Sequence, residues 1–131
     1  LQPAIEEVLR YESSNQLGNR LTTCGVEMGE MHLPAGCFIT LGIGAANRDP
    51  AAFPLPDKFD IGRTPNRHLA FAAGAHQCAG MNLARLEGRI AIGGFLARFA
   101  DYELASKPVR SRRARFRGFA NLPVMLRPDR V

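Results

Sequence analysis

Four prolines fall between Asn47 and Arg67, at Pro50, Pro54, Pro56 and Pro65, among several Asp and Asn residues. Each proline fixes its own φ and lacks the N–H that a helix or a sheet ladder needs. No helix or strand longer than a turn or two is therefore expected there. A stretch this long without regular structure inside a compact domain is usually functional or covers something. It splits the chain into a block of short elements before it and, after it, a loop of small residues leading into one long helix.

Ahead of the prolines, Ala4 to Tyr11 reads as a helix. Ile5, Val8 and Leu9 fall at i, i+3, i+4 and make one apolar face, and Pro3 suits the first turn. Arg20 to His32 alternates weakly and contains Gly25 and Gly29, a pattern for two short strands joined by a turn. Pro34-Ala35-Gly36 is a second turn, and Cys37 to Leu41 has the β-branched and aromatic content of a buried strand. After the prolines, Met81 to Phe99 is the longest helical pattern, with Leu83, Leu86, Ile90 and Ala97 on one side and Ile92, Phe95, Leu96 and Phe99 widening the stripe. Gly93-Gly94 inside it costs about 1 kcal/mol per glycine relative to alanine, which points to close packing against a helix or a cofactor. Strands are expected at Tyr102–Leu104, Arg115–Phe119 and Val124–Leu126. The fold class is α+β.

Charge is unevenly spread. From Ser106 onward there are eight Lys or Arg against one acid, Asp129, while the remainder carries nine bases and eleven acids. The basic character belongs to the tail. Arg110 to Arg117 could serve as a nucleic-acid footprint, but alternation of Arg with Ala, Phe and Gly fits better the solvated face of an edge strand, so nucleic acid is disfavoured as a partner. The longest uncharged runs, Met31–Asn47 and His68–Ala84, are interrupted by Gly. A membrane span needs roughly 20 mostly apolar residues, so no membrane segment is expected, and the N-terminus lacks a signal-peptide pattern. It also lacks an initiator Met, the mark of a trimmed or cut chain. Three cysteines, Cys24, Cys37 and Cys78, at wide spacing argue against a disulfide framework and for a reducing, cytoplasmic compartment.

The residues that carry chemistry are Phe71-Ala72-Ala73-Gly74-Ala75-His76-Gln77-Cys78-Ala79-Gly80. Here a cysteine stands in a Gly/Ala loop directly before the long helix. The partial positive charge and unpaired N–H groups of a helix N-terminus favour a thiolate. A thiolate is a strong iron ligand, and small neighbours let a flat cofactor approach the backbone. A lone cysteine near a helix start is more often an inert buried residue. A zinc site on His76 and Cys78 with a distant third ligand would be poorly spaced.

The spacing Phe-x-x-Gly-x-His-x-Cys-x-Gly, carried by Phe71, Gly74, His76, Cys78 and Gly80, resembles the haem-binding loop of the cytochrome P450 family, bacterial type. His68-Leu69-Ala70-Phe71-Ala72 is similar to that family's lead-in, with Ala72 in place of a common Gly and Ala79 in place of a common Leu. Glu7-Val8-Leu9-Arg10 resembles its Glu-x-x-Arg motif, and Asn47-Arg48-Asp49-Pro50 with Pro56-Asp57-Lys58-Phe59-Asp60 resembles its meander. The resemblance runs from Glu7 to about Leu126 and implies that residues 1–131 form a single C-terminal haem-binding portion of a larger, mainly helical monooxygenase fold. It implies haem b held by Cys78 as the iron ligand, with Arg20, Phe71, Gly74, His76 and Gly80 around it and Arg20 and His76 toward the propionates. It also implies a structural lock of Glu7 and Arg10 whose third cation, often Arg, is Lys58 here, with Arg48 as a substitute. Leu17, Phe119 and Ala120 would line the substrate pocket.

Family members are about three times this length, so the central helix on the distal face of haem lies outside this sequence, as do the side chains that deliver protons there. The implied activity is O2 activation and hydroxylation of an apolar small molecule, with electrons from a ferredoxin-type donor met near Arg67 and Arg85. These residues alone are expected to be inactive and, with core surface exposed, to self-associate. A non-catalytic remnant without haem is the alternative.

Overall fold

The computed structural model describes residues 1–127, so Asp129 and Arg130 of the basic tail lie outside the described residues. The elements are α1 (Gln2–Tyr11), β1 (Leu17–Leu21), β2 (Val26–Met28), β3 (Met31–Leu33), β4 (Phe38–Gly42), a single turn α2 (Ile43–Ala46), the helix α3 (Met81–Arg98), β5 (Asp101–Leu104), β6 (Val109–Arg110), β7 (Phe119–Asn121) and β8 (Val124–Arg127). The strands form four antiparallel pairs, β1–β4, β2–β3, β5–β8 and β6–β7. This is the expected α+β architecture, and no regular element forms between Asn47 and Arg67.

Several local expectations change. The segment read as two strands holds the hairpin β2–β3, turned at Gly29 with φ +61°, while Arg20 belongs to an earlier strand paired with β4. The strand read at Cys37–Leu41 forms one residue later but is not buried, with Phe38 65% exposed. Arg115–Phe119 is not a strand. Phe116 forms an isolated bridge opposite Asn15, and Phe119 enters a sheet as the first residue of β7; Gln16 N–H donates to Arg115 O (2.8 Å) and Arg117 N–H to Ser14 O (2.7 Å), tying the start of this segment to the chain after α1.

The apolar reading of the helices is also corrected. On α1 the buried side chains are Ile5, Glu7 and Arg10, while Val8 is exposed. α3 buries none of its residues. Its apolar stripe meets α1 and β5: a Cβ on Gly93 would lie 3.1 Å from Leu1 and one on Gly88 3.5 Å from Ile5, the Phe95 ring stands 5.1 Å from that of Tyr102, and Gly94 faces open space. Among the described residues the buried apolar set is Ile5, Ile43 and Phe53, alongside the buried polar Glu7, Arg10, Ser13, Thr22 and Asn47. Hydrogen bonds, more than apolar contact, therefore fix how α1, the proline-rich segment and α3 sit together.

Candidate functional site

The i, i+3 spacing on α1 brings Glu7 and Arg10 together with both side chains fully buried. Arg10 donates through Nε to Glu7 Oε2 and through Nη2 to Oε1, each at 2.8 Å, the forked geometry of a strong pair. Its remaining N–H groups reach into the proline-rich segment, to Asn47 O and Pro56 O at 2.9 Å and Lys58 O at 3.3 Å. Glu7 in turn accepts from Asp60 N–H at 2.9 Å and Asn66 Nδ2 at 3.1 Å. Side chains of α1 thus partner backbone groups of a segment whose prolines keep it out of helix and sheet.

The third cation on Glu7 is neither Lys58 nor Arg48. It is Arg63, 3.3 Å from Glu7 Oε2, whose other N–H groups donate to Pro54 O, Leu55 O and Lys58 O. Lys58 brings its carbonyl oxygen, accepting from both arginines. A lysine ammonium could not fork between several carbonyls as a guanidinium does. Arg48 lies apart: it pairs with Asp57 at 2.6 Å, donates to Tyr11 O at 2.8 Å and stacks 3.7 Å above the Tyr11 ring. Burial pushes the Glu7 carboxyl up, but the hydrogen bonds from Arg10, Asp60 and Arg63 outweigh it and hold the pKa at about 2. Arg63 is the only arginine between Asp49 and Asn66, a signal in the sequence that its distance from the other motif residues obscured.

Two further ties lead to the cysteine loop. Fully buried Asn47 donates to Ser13 Oγ at 2.6 Å and accepts from Leu69 N–H at 2.7 Å. Glu6 accepts a forked contact from Arg85 (Nε 2.8 Å, Nη2 2.9 Å) and meets His68 Nε2 at 3.0 Å. Burial raises the Glu6 carboxyl, yet Arg85 and His68 bring it below the usual range. Burial also lowers the His68 imidazolium, only partly opposed by Glu6. The Arg85 guanidinium sits 5.0 Å from the Phe71 ring centre. Arg85 is thus committed to Glu6 and Phe71, which leaves Arg67 as the exposed cation of the two expected beside the loop.

The loop itself closes through Cys78 N–H to Phe71 O at 2.9 Å and Gln77 N–H to Gly74 O at 3.0 Å. Gly74 has φ +68°, the left-handed region where glycine carries no steric penalty. Ala72 holds φ +57° without that freedom. Gly80 precedes α3, and a Cβ there would stand 3.9 Å from Cys78 Sγ. Cys78 is exposed, with its sulfur at the start of an 18-residue helix.

Beside the loop lies a cleft of about 500 Å³. Arg20 from β1 and His76 from the loop both line it, with Leu41, Ile43 and Leu69 as apolar wall and Asn15, Asn19 and Arg115 as further polar groups. Arg20 also donates to Asn19 O at 2.8 Å. Leu17, Phe119 and Ala120 do not join this cleft. Leu17 lines a neighbouring one with Arg110 and Gly118, and Phe119 and Ala120 a third, because β7 pairs Phe119 with Arg110 and places that guanidinium 4.3 Å from its ring. Arg115, which the sequence reading placed on a strand, is the residue of this segment that reaches the cleft. Of the arginine-rich stretch, Arg110 and Arg117 are both held by Glu12, at 3.2 and 2.6 Å.

The loop offers one cysteine sulfur, that of Cys78, which is not among the residues lining that cleft, and no cluster of three or more His, Cys, Asp or Glu lies among the described residues. One thiolate suits a metal group that brings its own remaining ligands, and Arg20 and His76 suit that group's acidic edge. Comparisons with known proteins identify the family. A profile described as Cytochrome P450 matches residues 1–123. The chain is 46% identical over 129 residues to Cytochrome P450 107B1 of Saccharopolyspora erythraea, covering 95% of this chain and 32% of that protein. It is 44% identical over 126 residues to the Biotin biosynthesis cytochrome P450 of Bacillus subtilis, covering 92% and 31%. Among solved structures, P450BioI in complex with hexadec-9Z-enoic acid ligated acyl carrier protein superposes with TM-score 0.93 at 41% identity, over 96% of this chain and 33% of that one. The chain thus spans about a third of the length of the relatives it matches. With the Glu7–Arg10 lock, the cysteine loop and a match over nearly every residue in agreement, the chain belongs to the cytochrome P450 family.

Proposed function

We propose that these residues build the proximal haem site of a haem-thiolate monooxygenase acting on an apolar small molecule. The observation that carries this reading is the arrangement of Arg20 and His76 on one cleft, next to a loop that leaves Cys78 exposed at the head of α3. Haem b would be held by the Cys78 thiolate and, at its propionates, by Arg20 and His76. When bound, it supplies the iron at which O2 is activated for hydroxylation. The chain's own work is positional. Gly74 gives the loop its left-handed turn, and the Phe71 carbonyl fixes the Cys78 amide. The contacts of Glu6 with Arg85 and His68 hold the loop and α3 to α1.

We read residues 1–131 as one portion of the larger fold, working in the cytoplasm with a ferredoxin-type donor. Three unpaired cysteines support the compartment, and no helix among the described residues is long and apolar enough to cross a membrane. With α3 unburied, the 131 residues by themselves do not exclude water as the chemistry requires, so they bind haem without hydroxylating. A haem titration followed by a spectrum of the reduced, CO-bound protein tests this reading. A Soret band at the long-wavelength position of thiolate–iron–CO, lost in Cys78→Ala, is expected; haem binding that ignores the substitution, or no binding, overturns it.

A further inference from the structure

Two residues of the cysteine loop hold left-handed backbone, Gly74 at φ +68° and Ala72 at φ +57°. At Gly74 a Cβ would meet nothing within 4 Å, so the backbone conformation alone asks for glycine there. Ala72 faces the same demand yet carries a methyl, although an L side chain is disfavoured in this region. The two differ in what they face: Ala72 lines the cleft shared by Arg20 and His76, and Gly74 does not. Ala72 is also the point at which the loop turns away from a fixed anchor. The peptide unit between Phe71 and Ala72 is held at both ends, its N–H donating to Leu69 O at 2.8 Å and its carbonyl accepting from Cys78 N–H at 2.9 Å. Leu69 N–H in turn donates to buried Asn47 at 2.7 Å. The torsion of Ala72 therefore sets the direction in which the chain leaves this anchored peptide on its way to Cys78. Residues kept in disfavoured backbone gather at ligand sites, where the surrounding structure holds them.

We propose that Ala72 is a positioning residue of the haem site: its methyl narrows the left-handed pivot of the cysteine loop and packs against the bound macrocycle, strengthening haem capture while lowering the stability of the haem-free chain. Glycine is permitted in left- and right-handed backbone alike, so at position 72 it would let the segment from Ala73 to Cys78 leave the anchored peptide in several directions. Alanine has one small allowed region on this side of the map. With the peptide before it held at both ends, the loop then has one exit. The methyl also joins Leu41, Ile43 and Leu69 in the cleft wall, adding apolar contact for a flat, largely apolar group. A role confined to folding makes the opposite demand, since glycine at φ +57° would then be the better residue. The inference rests on the monooxygenase reading and deepens it, naming a loop residue that sets the fit of haem beside Cys78.

Haem titration, the reduced CO-bound spectrum and urea unfolding of the haem-free protein, each on the full chain, are compared for the wild type, Ala72→Gly and Ala72→Ser. Ala72→Gly is expected to raise the urea midpoint and yet to weaken haem binding about fourfold, the size of one lost methyl contact. A smaller share of its reduced haem should show the long-wavelength thiolate–iron–CO band. Ala72→Ser keeps the Cβ and should bind haem as the wild type does. A residue that serves folding alone moves stability and haem affinity together; opposite movement marks a residue held in strain for the ligand. Ala72→Gly with wild-type haem affinity and an unchanged thiolate band overturns the proposal. So does a urea midpoint that falls in Ala72→Gly, or an Ala72→Ser protein that loses haem as the glycine variant does. The Cys78→Ala control separates this inference from the reading it rests on. A wild type that binds no haem, or whose band survives Cys78→Ala, overturns both. A Cys78-dependent band beside an unchanged Ala72→Gly sinks the inference alone.

Discussion

Replacing Glu7 by glutamine removes the charge on which three side-chain donors and one backbone N–H converge without removing the volume. The carboxyl is fully buried and its pKa falls from 4.5 to about 2. At 1.36 kcal/mol per unit, that drop makes the ionised form worth roughly 3 kcal/mol more in the folded chain than in the unfolded one. The sign follows from linkage: a depressed carboxyl contributes its full stabilisation above its unfolded pKa of 4.5 and loses it as pH falls toward 2. Glu7→Gln should therefore cost about 3 kcal/mol at pH 7, the range expected when a buried ion pair loses one partner. Urea unfolding followed by far-ultraviolet circular dichroism, repeated from pH 7 to pH 2, measures both quantities. Glu6 and Glu12 are also depressed, so both proteins lose stability in acid, but the wild type should lose about 3 kcal/mol more across this window. Parallel pH profiles for the two proteins would refute the argument that Glu7 is held ionised by Arg10 and Arg63.

Three further outcomes follow from the geometry. Ala72→Gly should stabilise the chain by about 1 kcal/mol by relieving the left-handed φ of +57°, whereas Ala73→Gly, at φ −151°, should destabilise it; urea midpoints compare them. Glu12→Gln frees Arg110 and Arg117 together, so amide exchange between Arg110 and Gly118 should quicken and salt-sensitive binding to heparin should rise; unchanged exchange would mean that Glu12 does not hold the segment. Exposed Leu83, Leu86 and Ile90 leave an apolar face on α3, so sedimentation should show association that Leu86→Glu with Ile90→Glu reduces.

What the sequence made legible was whatever depends on local spacing. The i, i+3 pair Glu7–Arg10, the helix over Met81–Arg98 and the absence of regular structure among the prolines all follow from neighbours along the chain. The cysteine loop was readable because its residues are contiguous and match a known family spacing, within which Gly74 answers a local backbone demand at φ +68°. Partners set by tertiary closure were not. Arg63, Asn66 and Asn47 meet α1 only after the proline-rich segment folds back on it, across 56, 59 and 37 positions, and no periodicity encodes that return. Periodicity misled for burial. Ile5, Val8 and Leu9 have the spacing of a core face, yet Val8 is 42% exposed while Glu7 and Arg10 are buried.

That inversion explains how the site is held. Apolar contacts are non-directional, so a face packed by them alone would leave the proline-rich segment free to slide along α1. Buried hydrogen bonds are directional and costly to leave unmade, so Arg10 binding Asn47 O, Pro56 O and Lys58 O admits essentially one register. Asn47 then passes that register to Leu69, three residues before Ala72 and the turn into the cysteine loop. A site proposed to hold its metal through a single sulfur depends on where one short loop lies, and a buried polar network fixes that position more narrowly than three buried apolar residues can.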